Sequence, residues 1–304
     1  MKNKILIIIP YFGKFPEWMN LFLYSCAKNR IIDNNSCIDW LLYTDNDISD
    51  CPYNNIVFKR LSFEDYCSEV SPKLGFDFRP ERPYKLCDLR PFYGFLHCED
   101  LIGYTHWGFG DLDLCYGNLS ILVNDRMLRR YDLITTHGDR IAGHFTVIMK
   151  ESIYNDICFR IKDWKHRLSC GNLGLDEHYM TVLIRPFMPY WLRIYRLLKP
   201  LCRKMTLYSF MNIPNKVHNI FSKAYIKEFY TSPAPKDGEV WTYDAKSKRI
   251  LSPAGKELPY LHFLFFKKTP YWNSLHYWKP GFWRLEDGIW EKNIIFFDNE
   301  GVYV

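Results

Sequence analysis

The feature that most constrains the fold is a short apolar run near the start of the chain, residues 5–9, which Pro10 ends. The run consists of four isoleucines and one leucine and does not alternate in polarity. This pattern is typical of a strand that is buried on both faces of a parallel sheet. Lys2 and Lys4 also resemble the start of a signal peptide, but the run is shorter than an export segment. We therefore predict a first strand over residues 4–10.

Strand-like and helix-like segments alternate after this first strand, as they do in sheets with crossover helices. Further strands are predicted over residues 38–43, 56–60, 105–109, 132–136 and 145–149, and helices over 18–29, 63–70, 83–97 and 176–185. Ser62, followed by Asp65, predicts the N-terminal cap of one helix. The pattern indicates the α/β class, with a mixed, mostly parallel, Rossmann-like sheet flanked by helices.

The second half of the chain divides by composition. Residues 186–230 contain prolines, aromatics and basic residues and predict broken helical pieces, whereas residues from 239 onward predict short aromatic strands separated by turns. No repeat or linker separates the parts. We therefore predict a core over 1–184, a basic aromatic helical insertion over 185–230, and a β-rich tail over 231–304 that completes the same domain.

Composition limits the cellular setting. The ten cysteines show no metal-ligand spacing and no close pairing, so we expect reduced thiols in a cytoplasmic protein. No segment approaches the roughly 18 uninterrupted apolar residues of a transmembrane helix. We therefore expect a chain that does not cross a membrane.

The sharpest chemical feature is the acidic pair Asp111 and Asp113, which directly follows a predicted aromatic strand. Carboxylates two residues apart leave a strand in the same general direction. Open α/β sheets bind ligands at the carboxyl ends of their strands, and Mg²⁺ or Mn²⁺ prefers oxygen ligands there. An acidic pair can also be a solvated turn. The apolar strand before the pair and the glycine after it favour a metal site.

The segment over residues 104–118, YTHWGFGDLDLCYGN, resembles the DxD segment of a family of bacterial GT-A-like glycosyltransferases from polysaccharide gene clusters. Three other blocks resemble that family: IIPYFG at 8–13, YKLCDLRP at 84–91 and GHF at 143–145. The blocks keep the family's order over roughly residues 5–185, and a fainter match returns near His262. The resemblance implies a GT-A-like fold and sugar transfer from a nucleotide donor, with Asp111 and Asp113 on the metal and diphosphate.

The resemblance also implies donor contacts at other positions. These are Pro10, Tyr11 and Phe12 at the end of the first strand, Thr44 and Asp45 at the end of the second, Lys85 and Asp88 on the helix before the acidic pair's strand, and His144. Each has an ordinary alternative, such as strand-end packing for the aromatics, turn capping for Asp45, or a surface ion pair for Lys85 and Asp88. His144 can equally be a structural hydrogen-bonding group.

Three further positions follow from similar enzymes. A carboxylate of the helix after residue 174 often acts as a general base, which points to Asp176 or Glu177 without ordering them. Carboxylates at a helix N-terminus are also stabilised by its dipole. His262 would be a third metal ligand and Lys267 a phosphate contact. The surrounding sequence departs from the usual glycine-containing form, and a structural histidine is the alternative.

The stretch over residues 179–227 has no acidic residue and nine basic ones, so the net charge of +6 is concentrated there. Within it, the basic and aromatic residues 185–227 fit an interfacial segment that contacts anionic lipid. A peripheral position on the inner face of the cell membrane would suit a polyprenyl-linked acceptor. A solvated basic helix pair is the alternative. No recognisable module supports nucleic-acid binding.

The predicted function is therefore a glycosyltransferase that uses Mn²⁺ or Mg²⁺ and a nucleotide sugar, with UDP-sugar as the first expectation. Its acceptor would be a saccharide or lipid-linked saccharide in capsule or lipopolysaccharide synthesis. A non-catalytic carbohydrate- or lipid-binding protein would explain the aromatics without using the carboxylates. A DxD phosphohydrolase would need an aspartate after the first strand, where this chain has Pro10, Tyr11 and Phe12.

Overall fold

The apolar run near the N-terminus forms the central strand of the structure, and the predicted strands assemble around it. The computed structural model describes residues 2–47, 51–185, 188–201, 206, 210, 218–219, 221–266, 284–285, 288, 292–299 and 301–304. The strands are β1 (Asn3–Pro10), β2 (Ile31–Asp33), β3 (Ser36–Thr44), β4 (Ile56–Arg60), β5 (His106–Gly110), β6 (Leu114–Tyr116), β7 (Leu133–Thr135), β8 (Phe145–Met149), β9 (Ala224–Ile226), β10 (Trp241–Asp244), β11 (Arg249–Leu251), β12 (Glu257–Leu258), β13 (Tyr260–His262), β14 (Arg284–Leu285), β15 (Ile294–Phe297) and β16 (Gly301–Tyr303).

The helices flank this sheet. They are α1 (Met19–Lys28), α2 (Phe63–Leu74), α3 (Tyr93–Leu96), α4 (Ser120–Val123), α5 (Asp125–Arg130), α6 (Trp164–Ser169), α7 (Met180–Ile184) and α8 (Met188–Leu198). Short 3₁₀ segments occupy Pro83–Phe92, Ile157–Arg160 and Phe263–Phe265, and a π-helical turn occupies Leu175–Tyr179. As predicted, the Ser62 side chain accepts a hydrogen bond from the Asp65 amide and caps α2. No described helix combines the length and apolarity that crossing a bilayer would require.

The main sheet has eight strands and is mixed but mostly parallel, which confirms the predicted class. Its order is β2–β3–β1–β5–β8–β7–β9, and β4 pairs with β3 on the same side as β2. Strands β4, β3, β1 and β5 are parallel neighbours, whereas β8 runs antiparallel between β5 and β7. The carboxyl ends of the four parallel strands therefore lie along one edge.

The central strand is buried on both faces, as its composition predicts. Leu6 and Ile8 belong to the core cluster that includes α2, whereas Ile5, Ile7 and Ile9 pack in the cluster that includes α1. Alternate side chains of one strand point to opposite faces, so a strand between two helical layers must be apolar throughout.

Two predicted helices take other forms. The predicted helix over 83–97 is wrong, because it is a 3₁₀ segment followed by the short helix α3, with Pro91 inside the first piece. Proline lacks the N–H that a regular α-helix needs at an interior position. The prediction of helical pieces throughout 186–230 is also wrong at β9, which pairs in parallel with β7 at the end of the main sheet.

The tail forms short strands in its described part, as predicted. Strands β12, β11, β10, β15, β16 and β14 make a second sheet in that order. Strand β13 instead pairs antiparallel with β6, the strand that follows the acidic pair. This pairing places Leu114 opposite His262 and so brings the tail to the edge where the main sheet ends. The nine cysteines of the described ranges are free of disulfides.

Candidate functional site

Asp111 and Asp113 lie in the short loop between β5 and β6, at the carboxyl edge of the parallel strands. Backbone and side-chain contacts hold this loop on three sides. The Asp111 amide donates to the His144 carbonyl oxygen at 3.2 Å, and the Trp18 indole donates to the Leu112 carbonyl oxygen at 3.0 Å. The Phe263 amide donates to the Asp113 carbonyl oxygen at 2.8 Å. The loop is therefore fixed by neighbours from three other parts of the chain.

The structure brings the three predicted metal ligands together. Ligand atoms of Asp111, Asp113 and His262 all lie within 4.8 Å of one another. The imidazole Nε2 of His262 is 3.3 Å from a carboxylate oxygen of Asp113, and both side chains are buried. Among the described residues this is the one group of three or more histidine, cysteine or acidic side chains with such spacing.

The orientation of His262 suits a metal ligand. Its amide donates to the Thr231 carbonyl oxygen at 2.8 Å, and its ring Nδ1 lies 2.8 Å from the Ser232 hydroxyl oxygen. A partner on one ring nitrogen fixes the ring and leaves the other nitrogen directed at the ligand site. The two carboxylates are ligands that suit Mn²⁺ or Mg²⁺, and the imidazole favours Mn²⁺ of the two.

Arg90 links the acidic loop to the second acidic segment. Its guanidinium forms an ion pair with Asp111 and donates to Asp176 Oδ2 at 2.8 Å and to the Gly143 carbonyl oxygen at 3.0 Å. Its side chain is only 12% exposed, so these contacts are made away from bulk water. The sequence prediction did not select Arg90. Its place between Asp88 and Pro91, in a block that resembles the glycosyltransferase family, was the available signal.

The two candidate bases differ in environment. Burial raises the pKa of the Asp176 carboxyl to about 7, with Arg90 opposing the shift and Glu177, Asp88 and Asp111 adding to it. Glu177 is half-exposed. It accepts the Gly143 amide at 3.2 Å, and its other oxygen is 3.5 Å from the Arg140 guanidinium. The protonation of Asp176 therefore changes near neutral pH.

Gly143 lies where these groups meet. A Cβ at this position would approach Asp176 Oδ2 to 2.8 Å and both an Arg90 nitrogen and Glu177 Oε1 to 3.0 Å. Substitution of this glycine must therefore displace charged groups that hold one another in place.

Gly143→Ala is expected to lower the free energy of unfolding by about 1–3 kcal/mol, because the methyl group overpacks the buried ionic cluster. Urea denaturation measures the change. Gly171→Ala is the matched control, since a Cβ there meets nothing within 4 Å. Equal stability of the two variants would contradict the assignment of Gly143 to a close backbone approach.

His144 lies beside the metal-ligand group. Its ring stacks on that of His262 with centroids 4.2 Å apart, and its other neighbour His137 lies at 4.9 Å. Burial first, and then these two imidazoles, lower the pKa of His144. The buried Nε2 of His144 has no hydrogen-bond partner within the described part of the chain. A neutral ring with an open nitrogen can bind a polar ligand atom.

The residues after β1 and β3 meet at the same edge. The Tyr11 ring stacks on Phe15 with centroids 5.8 Å apart, and burial, then the charges of Asp113 and Asp45, raise the pKa of its hydroxyl. Asp45 is exposed and accepts the Gly13 amide at 2.9 Å. Tyr11 is thus placed near both the acidic loop and the end of β3.

The other strand-end predictions have structural contacts. Phe12 is buried and packs on Phe63 and Tyr66, at centroid distances of 5.5 and 5.4 Å. Thr44 is fully buried, and its hydroxyl accepts the Asn46 side-chain amide at 2.9 Å. Pro10 is partly buried as the last residue of β1. Phe12, Thr44 and Pro10 therefore have structural roles at the carboxyl edge of the parallel strands.

Lys85 and Asp88 form a buried ion pair at 2.7 Å. The Lys85 ammonium also donates to the carbonyl oxygens of Arg167 and Gly171, and Asp88 accepts the amides of Leu173 and Leu175. In this structure the pair therefore holds the turn that precedes Asp176. The resemblance had instead implied that Lys85 and Asp88 contact the donor. Their importance would be positional: they set where the second acidic segment begins.

Asp88→Ala is expected to lower the free energy of unfolding by about 3–5 kcal/mol, since it leaves the Lys85 charge buried without its partner. Thermal or urea denaturation at neutral pH measures this loss. The double variant Lys85→Met with Asp88→Ala is the control and should recover part of the loss, because it removes the uncompensated charge. If the double variant were less stable than Asp88→Ala, the buried charge would not be the cause.

The last predicted residue, Lys267, lies outside the described residues. In comparisons with known proteins, the sequence model of one family, a family of unknown function designated DUF6625, matches residues 7–283. The chain belongs to this family. The part of the chain that matches DUF6625 includes the acidic loop, Arg90, Asp176 and His262, so the whole candidate site lies within the matched residues. A search of curated proteins finds no match.

Proposed function

We propose that this protein is a metal-dependent glycosyltransferase that moves a sugar from a nucleotide diphosphate donor to a saccharide or polyprenyl-linked acceptor. The observation that carries the proposal is the meeting of Asp111, Asp113 and His262 at the carboxyl edge of the parallel strands. Open α/β sheets bind ligands at this edge. UDP is the first nucleotide to test.

The metal role follows from the donor set. Asp111, Asp113 and His262 would hold Mn²⁺ or Mg²⁺, with Ser232 orienting the imidazole. When bound, the ion would neutralise the negative charge on a departing diphosphate. Arg90 forms ion pairs with both Asp111 and Asp176 and would hold the Asp111 carboxylate in place beside the ion.

Asp176 is the proposed general base, and Glu177 is its flanking carboxylate. With a pKa of about 7, Asp176 is substantially deprotonated at neutral pH and can accept a proton from an acceptor hydroxyl. Arg90 donates to one oxygen of this carboxyl group at 2.8 Å and so holds it in place. Glu177 accepts the Gly143 amide and pairs with Arg140, so its carboxylate lies next to that of Asp176 in the same cluster.

The nucleotide would lie toward the ends of β1 and β3. Tyr11 offers a half-buried ring for a base to stack on, and Asp45 offers an exposed carboxylate to a base or ribose edge. The sheet order supports a GT-A-like arrangement. Its acidic loop follows the parallel strand β5, and β8 returns antiparallel beside that strand with His144 just before its first residue.

The testing experiment measures melting temperature against a panel of nucleoside diphosphates and nucleotide sugars, with and without Mn²⁺. A ligand that binds the folded state raises the melting temperature, and saturation at about 100 times the dissociation constant adds about 2.7 kcal/mol. The expected result is a shift for one nucleotide that disappears in EDTA. A shift with free sugars or lipids, and none with any nucleotide, would overturn the proposal in favour of a binding protein.

A further inference from the structure

Helix α8 exposes an apolar face. Tyr190, Leu197 and Leu201 are 64%, 75% and 80% exposed, and their spacing of seven and four residues places them on one side of the helix and its last turn. Ile194 is partly buried between them. Large apolar side chains arranged along one line of a surface, rather than scattered singly, mark a site of contact.

Another side of α8 carries an aromatic contact within the same segment. The rings of Trp191 and Tyr195 contact Phe210 at centroid distances of 5.9 and 5.5 Å. These ring contacts lie away from the line of Tyr190, Leu197 and Leu201, so the described aromatic packing of α8 leaves that line exposed. A partner that binds this line must surround Leu197 and Leu201 with apolar groups.

Basic residues border the apolar line. Arg193, Arg196 and Lys199 are exposed on α8 or directly after it, and Lys199 donates to the Tyr195 hydroxyl oxygen at 2.9 Å. The surrounding stretch 179–227 contains nine basic residues and no acidic one. The partner should therefore be both negatively charged and apolar beneath its surface. A second copy of this face would bring two positive surfaces together, and a nucleic acid would leave the leucines in water.

We propose that α8 docks the protein on the surface of an anionic lipid bilayer. Tyr190, Leu197 and Leu201 would enter the boundary between headgroups and acyl chains, while Arg193 and Arg196 contact lipid phosphates. The 11 residues of α8 rise about 16 Å, roughly half of the hydrocarbon thickness. The helix therefore lies in the plane of the surface.

This docking goes beyond sugar transfer and does not depend on it. If both hold, the surface has a consequence for the acceptor. Helix α7 begins at Met180, shortly after Asp176, and α8 follows it closely along the chain. An enzyme attached through α8 would meet acceptors carried on a lipid at that surface.

Vesicle flotation tests the proposal with the full-length protein. The probes are vesicles of phosphatidylcholine alone and of equal parts phosphatidylcholine and phosphatidylglycerol. We expect flotation with the anionic vesicles only. The double variant Leu197→Glu with Leu201→Glu should abolish flotation, and Arg193→Gln with Arg196→Gln should lower the partition coefficient about thirtyfold.

The matched control is Ile102→Glu with Ile153→Glu, which places the same charges at two exposed isoleucines outside α8. This control should float like the wild type. Absence of flotation by the wild type, or flotation unchanged by the leucine variants, would overturn the proposal. A dimer that the leucine variants dissociate, without vesicle binding, would assign the face to self-association and also overturn it. The nucleotide-dependent melting shift of each variant reports separately on the donor site.

Discussion

Asp111→Asn and Asp113→Asn should each lower the rate of sugar transfer by about a hundred- to a thousandfold and remove the Mn²⁺-dependent melting shift. An amide keeps the shape of the side chain but not the negative charge that a hard cation prefers. Both side chains are in the same 4.8 Å group as His262, so loss of either leaves an incomplete ligand set. Transfer assays with the nucleotide sugar found in the melting panel measure the loss.

The control for these substitutions is Asp77→Asn, which removes a carboxylate from a surface ion pair with Arg79. It should keep both the activity and the shift. His262→Ala should weaken the response to Mn²⁺, because it removes the ligand contributed by β13. Full transfer activity of Asp111→Asn in excess EDTA would contradict a metal role for the acidic loop.

Asp176→Asn should lower the rate of transfer by about a hundred- to ten-thousandfold, the range typical of a lost general base. Glu177→Gln should have a much smaller effect, since Glu177 is half-exposed and contacts Gly143 and Arg140. The two variants keep side-chain size and so separate two candidates that the sequence could not order. Equal losses in both would contradict the assignment of the base to Asp176.

The same carboxyl group should set a pH dependence. Because burial raises the pKa of Asp176 from 3.8 to about 7, the folded state favours its protonated form. Its contribution to stability is complete below the unfolded pKa and is lost as pH rises toward about 7. In metal-free protein, Asp176→Asn should lack this decline in the free energy of unfolding. Transfer by the wild type should instead rise with pH through the same region.

The parts of the fold that the sequence predicts well are those set by local burial. Residues 5–9 form a strand because only a two-sided core accepts five consecutive apolar side chains. Ser62 caps α2 through a contact three residues away. Strand β9 was missed because its three residues lie within a basic, aromatic stretch, and only pairing with β7 makes them a strand.

The candidate site divides in the same way. Asp111 and Asp113 were predictable because the acidic pair directly follows a strand. Arg90 was not, since its importance depends on Asp111, Asp176 and Gly143 converging from distant segments. Lys85 shows the reverse case. A basic residue before the acidic strand suggested a phosphate contact, but its ammonium donates to Asp88 and to two backbone carbonyls.

The pairing of β6 with β13 makes the proposed metal site depend on two segments that are synthesised far apart in time. Asp113 and His262 are about 150 residues apart in sequence, yet the ligand set needs both. A nascent chain that has emerged only through β8 would have its acidic loop but no imidazole beside it. Metal capture with the full set of ligands would therefore begin only after β13 has left the ribosome and paired, and the ion would then link the acidic loop to β13.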